Sequence, residues 1–567
     1  GYHTRELAVL GRTNLDVEMQ SEVTELQEVE VNAGYYTVKE KERTGSISRV
    51  AAAEIELQPI ISPLEALQGR MAGVEVVPNG NLPGMASTIR IRGTNSLRAE
   101  GNLPLYIIDG VPINSTPIGS NSLIGNFGPG AEPLNMLNLS NIQSIEVLKD
   151  ADATAIYGSR GANGVILITT KKGGQSGTKI EAQAYSGMST VPNRVKVLDT
   201  EQYLKIRKMA FENDGIEATR FNAYDLVVWD QDRQTDWQDV FFGGVAPVTD
   251  LNLSFSGGNG STNYSLRGSY HNQGTVFPGD YDYNKATTAL NLNHVSENQK
   301  LAINLSVNYG ADTNHLVGSV NLTTGGLKVP PNAPPVFNED GSLHWEEWSD
   351  VGQNNPLMGF HNSSTTVSNH LVGNMGITCQ LAKGLRLKAN LGYTNFNSRE
   401  VVKYPKKSYN PAWSFIEHQS EHLQFNRKSW IIEPQLLYNS NFMGANIDAL
   451  IGTTFQQSNN DNLSINASGY VSESQIGNLK AAGAVSVRSN ENIDYRYNAI
   501  FTRLGFNWEQ QYFLNFTGRR DGSSRFGPGK RFANFGAIGG AWIFANVNSK
   551  RDEASFLSFG KLRGSYG

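Results

Sequence analysis

From Lys179 to Gly567 the chain alternates, and this rhythm limits its fold more than any single motif. Leu301, Ile303, Leu305, Val307 and Tyr309 stand against Ala302, Asn304, Ser306 and Asn308. Leu385, Leu387, Ala389, Leu391 and Tyr393 stand against Arg386, Lys388, Asn390, Gly392 and Thr394. Shorter runs repeat the theme: Leu251, Leu253 and Phe255; Leu290 and Leu292; Tyr512, Leu514 and Phe516. A period of two means β-strands. A soluble sandwich with its apolar face inward would show the same alternation. Three features favour a membrane barrel instead. The runs are about ten residues long, the second face is Asn, Ser, Arg and Lys, and Tyr or Phe marks strand ends as an interfacial girdle would.

A mean hydropathy of −0.37 does not oppose that reading, because only alternate residues of a barrel strand meet lipid. No apolar run approaches the roughly 20 residues of a membrane helix. The connectors are unequal. Gly258-Asn259-Gly260 is tight, whereas 311–365 and 397–426 read as long and irregular, the short-turn, long-loop asymmetry of outer-membrane barrels. The net charge of −5 gives no reason to expect a nucleic-acid partner. Cys379 stands alone, so neither an internal disulfide nor a thiolate metal cluster is expected.

Residues 46–173 have a different texture and read as a small α+β domain. Ser62-Pro63-Leu64-Glu65 combines an N-cap, a first-turn proline and a capping-box glutamate, predicting a helix through Leu67 and Met71 to about Gly73. Short strands are expected at Val74–Val77, Ile89–Arg92 and Leu105–Ile108. Asp109-Gly110 reads as a turn. Then Ile142–Gly173 reads as strand, short helix capped by Asp150, glycine turn and strand. Its Gly158, Gly161 and Gly164 have neither dinucleotide-fingerprint nor P-loop spacing.

The run IEVLKDADATAIYGSRGANGVILITTK within that segment resembles the end of the plug domain of TonB-dependent outer-membrane transporters, in particular the SusC-like branch. TIRIRGT (Thr88–Thr94), LYIIDGVP (Leu105–Pro112) and RRDGSSRFG (Arg519–Gly527) resemble the same branch. The resemblance implies an antiparallel transmembrane β-barrel of about 22 strands when complete, only part of it present here, with an N-terminal plug in the lumen. Residues 1–20 then read as the end of a small β-sandwich, 21–45 as a linker, 46–173 as the plug and 179–567 as the first part of the barrel, with about 10 to 14 strands. The opening residues carry no basic and apolar leader, and the last ones fall within an alternating run, so the sequence reads as a fragment unable to seal a pore alone.

The function implied by the resemblance is energy-coupled import of a large nutrient, glycan or peptide, across the outer membrane of a Gram-negative, Bacteroidetes-type bacterium. A SusD-like surface lipoprotein would be the partner, with no cofactor and no catalysis. Leu26, Gln27, Glu28, Val29, Glu30 and Val31, within the island Leu26–Tyr35, are the expected coupling segment. TonB would add to it as a strand. Arg90, Arg92, Glu146 and Arg160 are candidates for a plug–barrel lock, because charges enclosed by a barrel need partners. The alternative for the strand pair Arg90 and Arg92 is a solvated face. Trp345, Trp348, Trp413 and Phe415 are candidate substrate contacts, since rings stack on sugar faces or apolar side chains; the alternative is an aromatic belt. Thr235-Asp236-Trp237 reads as a structural anchor. His418-Gln419-Ser420-Glu421-His422 matches the H-x-x-E-H metalloprotease pattern, but that chemistry needs a helix and the run lies in a polar stretch between expected strands. A passive porin or surface-binding barrel is the other reading, opposed by the plug-like residues.

Overall fold

The computed structural model describes residues 30–56, 60, 62–78, 82–118, 130–174, 177–317, 326–546 and 559–567. The region expected to be a small β-sandwich, 1–20, lies outside them.

Paired structure begins within the residues expected to be a linker. β1 (Glu30–Asn32) and β2 (Thr37–Lys39) form a hairpin with Val31 opposite Val38. There follow β3 (Ile47–Ala51), β4 (Val74–Val77), β5 (Thr88–Ile91), β6 (Leu105–Ile108), β7 (Val111–Ile113), β8 (Ile142–Leu148) and β9 (Val165–Thr170). One sheet runs β3-β8-β9-β6-β7, parallel only between β6 and β9, while β4 and β5 pair separately. Ile142, Ile145, Val147, Ile166 and Ile168 are buried in its core. The expected 62–73 helix is a single turn, Glu65–Leu67. Gln68 turns extended and Gly69 takes a φ of +71°, which breaks the helix. Leu64, Leu67 and Met71 are buried all the same.

Among the described residues the wall is one antiparallel sheet of thirteen strands in chain order. It comprises β10 (Lys179–Ser189), β11 (Ala246–Gly258), β12 (Thr262–Gly274), β13 (Asp282–Val295) and β14 (Leu301–Val317). Then come β15 (Ser363–Ala382), β16 (Leu385–Tyr404), β17 (His418–Phe442) and β18 (Ala445–Tyr470). β19 (Ala484–Trp508), β20 (Tyr512–Ser523), β21 (Phe532–Asn546) and β22 (Phe559–Tyr566) complete it. β17 and β18 have 25 and 26 residues, far beyond the roughly 9–11 a membrane requires. Over half of the expected loop 397–426 is therefore strand that continues past the apolar band, whereas 311–365 contributes only its two ends to strands. Outside that band nothing selects alternating hydrophobicity, so a polar stretch such as Ser458–Ser464 looks irregular in sequence.

Burial in the wall is inverted relative to a soluble sheet. On β11, Leu251, Leu253 and Phe255 are exposed while Ser254 and Ser256 are buried. On β20, Leu514 and Phe516 face outward and Thr517, Arg519 and Asp521 face in. An apolar outer face and a polar inner face fit lipid outside and an occupied lumen inside. The plug fills that lumen, with Val372 of β15 and Ile431 of β17 packing on its core.

Tight turns such as 259–261 and 509–511 lie at one end of the wall, and larger excursions at the other. Two of these, 190–245 and the described part of the β14–β15 connection, fold on each other. Asp199 caps the helix Thr200–Asp214, and Trp229, Trp237, Phe241, Leu343, Trp348 and Leu357 form a separate apolar core. The Trp237 indole nitrogen donates to the Pro330 carbonyl at 2.7 Å, and Asp236 caps its helix, so this run ties the two excursions together.

Candidate functional site

The tightest junction between plug and wall joins two of the runs that carried the resemblance. After the short helix Ala151–Thr154 the chain reaches Gly158, whose φ of +60° and ψ of −140° suit glycine alone. A Cβ there would also meet the Asp521 carboxylate. The next residue, Ser159, donates from its backbone nitrogen (2.8 Å) and hydroxyl (2.9 Å) to Asp521 Oδ2. Arg519 Nε donates to Asp521 Oδ1 at 2.7 Å, and both side chains are fully buried. The remaining guanidinium nitrogens donate to the Ile156 carbonyl (2.6 Å) and the Tyr497 hydroxyl (2.8 Å). A buried ion pair persists when its spare hydrogen-bonding capacity is used in this way. In the sequence Arg519–Gly527 stands out only by its resemblance; strand alternation, which puts Arg519 and Asp521 on the polar face, is the signal that locates them.

A second junction lies at Asp109, whose φ is +48°. It forms the expected turn, and its carboxylate also accepts from the Thr170 backbone nitrogen (2.9 Å), the Thr170 hydroxyl (2.7 Å) and the Ser306 hydroxyl of β14 (2.6 Å).

Of the four expected lock residues, only Arg160 lies against the wall. Its Nη1 donates to Gln456 Oε1 at 2.6 Å and its guanidinium lies 4.4 Å from the Tyr497 ring centre. The other three are corrected. Arg90 pairs at 3.6 Å with Glu75 across the β4–β5 hairpin, in solvent. Arg92 does not share its face, because β5 ends at Ile91 and Arg92 turns with a φ of +58°. Glu146 is buried but faces Arg49 on β3 at 3.3 Å, inside the plug. Burial pushes its carboxyl up to about 7, with Ser144 and Arg49 pulling the other way.

Of the expected coupling segment, Leu26, Gln27, Glu28 and Val29 lie outside the described residues. Glu30, exposed, and Val31, buried, both lie in β1, where they pair with Lys39 and Val38. The hairpin is wedged between plug and wall. The Tyr157 hydroxyl donates to the Ala33 carbonyl (3.3 Å), the Tyr35 hydroxyl to Glu433 on β17 (3.0 Å), and Tyr36 stacks under Arg503.

Among the expected substrate contacts, Trp348 is buried in the cap core and Trp345 packs beside it. These two are structural, because the cap needs its own apolar centre to fold. Trp413 and Phe415 stand apart, stacked with ring centres 5.9 Å apart, and Phe415 is exposed. On the side of the plug toward the excursions lies a cavity of about 260 Å³. Arg160 and Asn114 of the plug line it, with Arg427, Asn460, Tyr495 and Arg525 of the wall. His418, Glu421 and His422 lie along β17 rather than on a helix, and no group of three metal-ligating side chains occurs among the described residues.

The family profile described as TonB-dependent Receptor Plug Domain matches residues 39–165. TonB-dependent receptor P3 of Formosa agariphila is 30% identical over all of this chain and 53% of its own length. TonB-dependent receptor SusC of Bacteroides thetaiotaomicron is 28% identical over all of this chain and 55% of its own. The chain thus spans about half the length of the curated relatives it matches. In fold it is similar to the RagAB peptide importer in its open-open state (TM-score 0.78, 24% identity, 95% of this chain and 61% of that one). It is also similar to the unliganded ferric citrate transporter FecA (TM-score 0.55, 12% identity, 89% and 61%). With a plug enclosed by an inverted sheet and these relatives, the chain belongs to the SusC-like TonB-dependent receptors, outer-membrane β-barrels that are not enzymes.

Proposed function

We propose that the chain is the plug-bearing part of an importer that draws a large nutrient, glycan or peptide, across the outer membrane at the expense of energy delivered by TonB. The observation that carries this reading is the continuity from the N-terminal hairpin to the plug–wall junction. Val31 and Ala33 pack on Tyr157, and two residues further on Ser159 is held by Asp521. A pull on the residues before Val31 would load Tyr157 first and the Asp521 junction next. Leu26–Glu30 therefore remain the proposed TonB-binding stretch, pairing through main-chain groups.

Cargo would enter at the end bearing the cap and the Trp413–Phe415 pair, beneath a SusD-like lipoprotein, in a Bacteroidetes-type cell such as those that supply the relatives. The proposed lock is Arg160 with Arg519 and Asp521. Deleting Leu26–Glu30 in the full-length receptor should abolish uptake while leaving the folded barrel in the membrane. Uptake that survives the deletion would reject energy coupling in favour of a passive pore.

A further inference from the structure

The cavity beside the plug apex is electrostatically lopsided. Three guanidinium groups line it, those of Arg160, Arg427 and Arg525, against one carboxylate, that of Glu100. Among the described residues none of the three is ion-paired. Arg160 donates to the Gln456 amide, and its Nε is buried without a partner. Arg427 Nε donates to Asn460 Oδ1 at 3.2 Å, and the Arg427 guanidinium stacks on Phe425, 5.0 Å from the ring centre. Arg525 lies over the Tyr495 ring at 4.6 Å. Arg427 is only 9% exposed, and a guanidinium withdrawn from water without a counter-charge is costly. The contrast lies at the other end of Arg160's own segment, where Arg519 has its carboxylate within 2.7 Å. Among the described residues, the wall supplies a countercharge at the junction and none at the cavity.

We propose that this cavity is an anion subsite, and that the cargo is an acidic oligosaccharide whose carboxylate or sulfate group seats between Arg160, Arg427 and Arg525. The inference rests on the importer reading above and narrows its cargo class. Planar guanidinium groups bind oxyanions through paired, charge-assisted hydrogen bonds. The rest of the lining is mixed, with apolar side chains such as Leu103, Ile113 and Phe396 beside polar groups that can bind sugar hydroxyls. Asn114, Ser115 and Thr116 from the plug and Asn395, Ser458 and Asn460 from the wall offer amides and hydroxyls. A peptide held by strand addition would need a free sheet edge. The wall strands here, β15 to β19, are each paired on both sides. About 260 Å³ is just under the roughly 300–1,000 Å³ of small-molecule sites, so the cavity takes one end of an oligomer rather than its whole length.

The test is calorimetry on the full-length receptor in nanodiscs with four probes: a tetragalacturonate, a sulfated galacto-oligosaccharide, a neutral maltotetraose and a tetraglutamate peptide. Binding of either acidic sugar, falling steeply with salt, is expected, with maltotetraose at least tenfold weaker. Comparison of the two acidic sugars identifies which oxyanion is preferred. Arg525→Gln and Arg160→Gln should each weaken the acidic sugar about tenfold or more, the loss expected for a charge-assisted contact. Arg427→Lys keeps charge and burial but loses the fork, and should weaken binding without unfolding the barrel. Maltotetraose binding as tightly as the acidic sugars, a panel in which only tetraglutamate binds, no binding of any probe, or variants indistinguishable from the parent would each overturn the subsite. The coupling reading is separable: the Leu26–Glu30 deletion should leave acidic-sugar binding intact while removing uptake. Uptake without coupling rejects only the energy-driven reading, and coupled uptake of a neutral cargo rejects only the subsite.

Discussion

Plug and wall use strands of similar composition and bury opposite halves of them. In β8 of the plug, Ile142, Ile145 and Val147 are buried. In β11 of the wall, Leu251, Leu253 and Phe255 are the exposed set and the serines between them are enclosed. Burial of apolar surface drives the first arrangement. In the second it has no purchase inside a polar lumen, and the lipid takes the apolar side. One consequence is that the plug and the wall cannot cohere chiefly through apolar packing. They meet through a few apolar contacts, such as Val372 and Ile431 on the plug core, and through placed polar groups, Asp521 under Ser159 and Asp109 against Ser306.

The largest effect expected from breaking that contrast is at the junction. Arg519→Met leaves Asp521 buried and unpaired, which costs about 3–5 kcal/mol. Amide exchange in Ile156–Arg160 should accelerate strongly while exchange in β10 to β13 stays slow. Uniform acceleration across the wall would show that the pair supports the barrel rather than the plug.

Trp348→Ala removes the centre of the cap, at a local cost of about 3–5 kcal/mol. Limited proteolysis should cut within 200–242 while the plug stays protected. If cargo affinity fell with the cap still resistant, Trp348 would be a binding residue after all.

On the outer face, Leu504→Arg should cost about 2–4 kcal/mol if the site lies near the midplane, read by denaturant titration in vesicles. Thr517→Asn, facing the lumen, should cost less. Equal penalties would mean that the two faces do not differ in solvent.

The most gradual effect is a pH slope, at most about 1.4 kcal/mol per pH unit. Glu132 is wholly buried in the plug, and desolvation, opposed by the Leu134 and Ser87 backbone nitrogens, raises its carboxyl to about 8. The native state then holds a proton that the unfolded state releases above roughly pH 4.3. Plug stability is fully present below that value and declines as pH rises towards about 8. Glu132→Gln should flatten this decline in exchange-derived plug stability. A slope unchanged in the variant would assign it to another group, of which Glu146 is the first to examine.

The membrane sheet and plug could be read from the sequence because each has a signal of one chain element: alternation for the wall, and β8–glycine turn–β9 for the plug. Sequence failed where meaning depends on what lies opposite. Arg90 and Arg160 are both arginines near plug turns, yet one meets Glu75 and the other the wall. Trp348 and Trp413 are both loop aromatics, yet only Trp348 has a cap core around it. The extension of β17 and β18 was hidden because strands outside lipid need only backbone pairing. The charge-rich Lys39–Arg43 run gave no hint that Tyr35 and Tyr36, just before it, dock on Glu433 and Arg503.

The wall turns its apolar set to lipid and its polar set to an enclosed plug. Nitroxide accessibility along 251–256 of the full-length receptor in bilayers tests it directly, using single-cysteine variants in a Cys379→Ser background. High oxygen and low nickel-chelate accessibility are expected at 251, 253 and 255, with low accessibility to both at 254 and 256. Nickel-chelate accessibility at 251, 253 and 255, or oxygen exposure at 254 and 256, would contradict it.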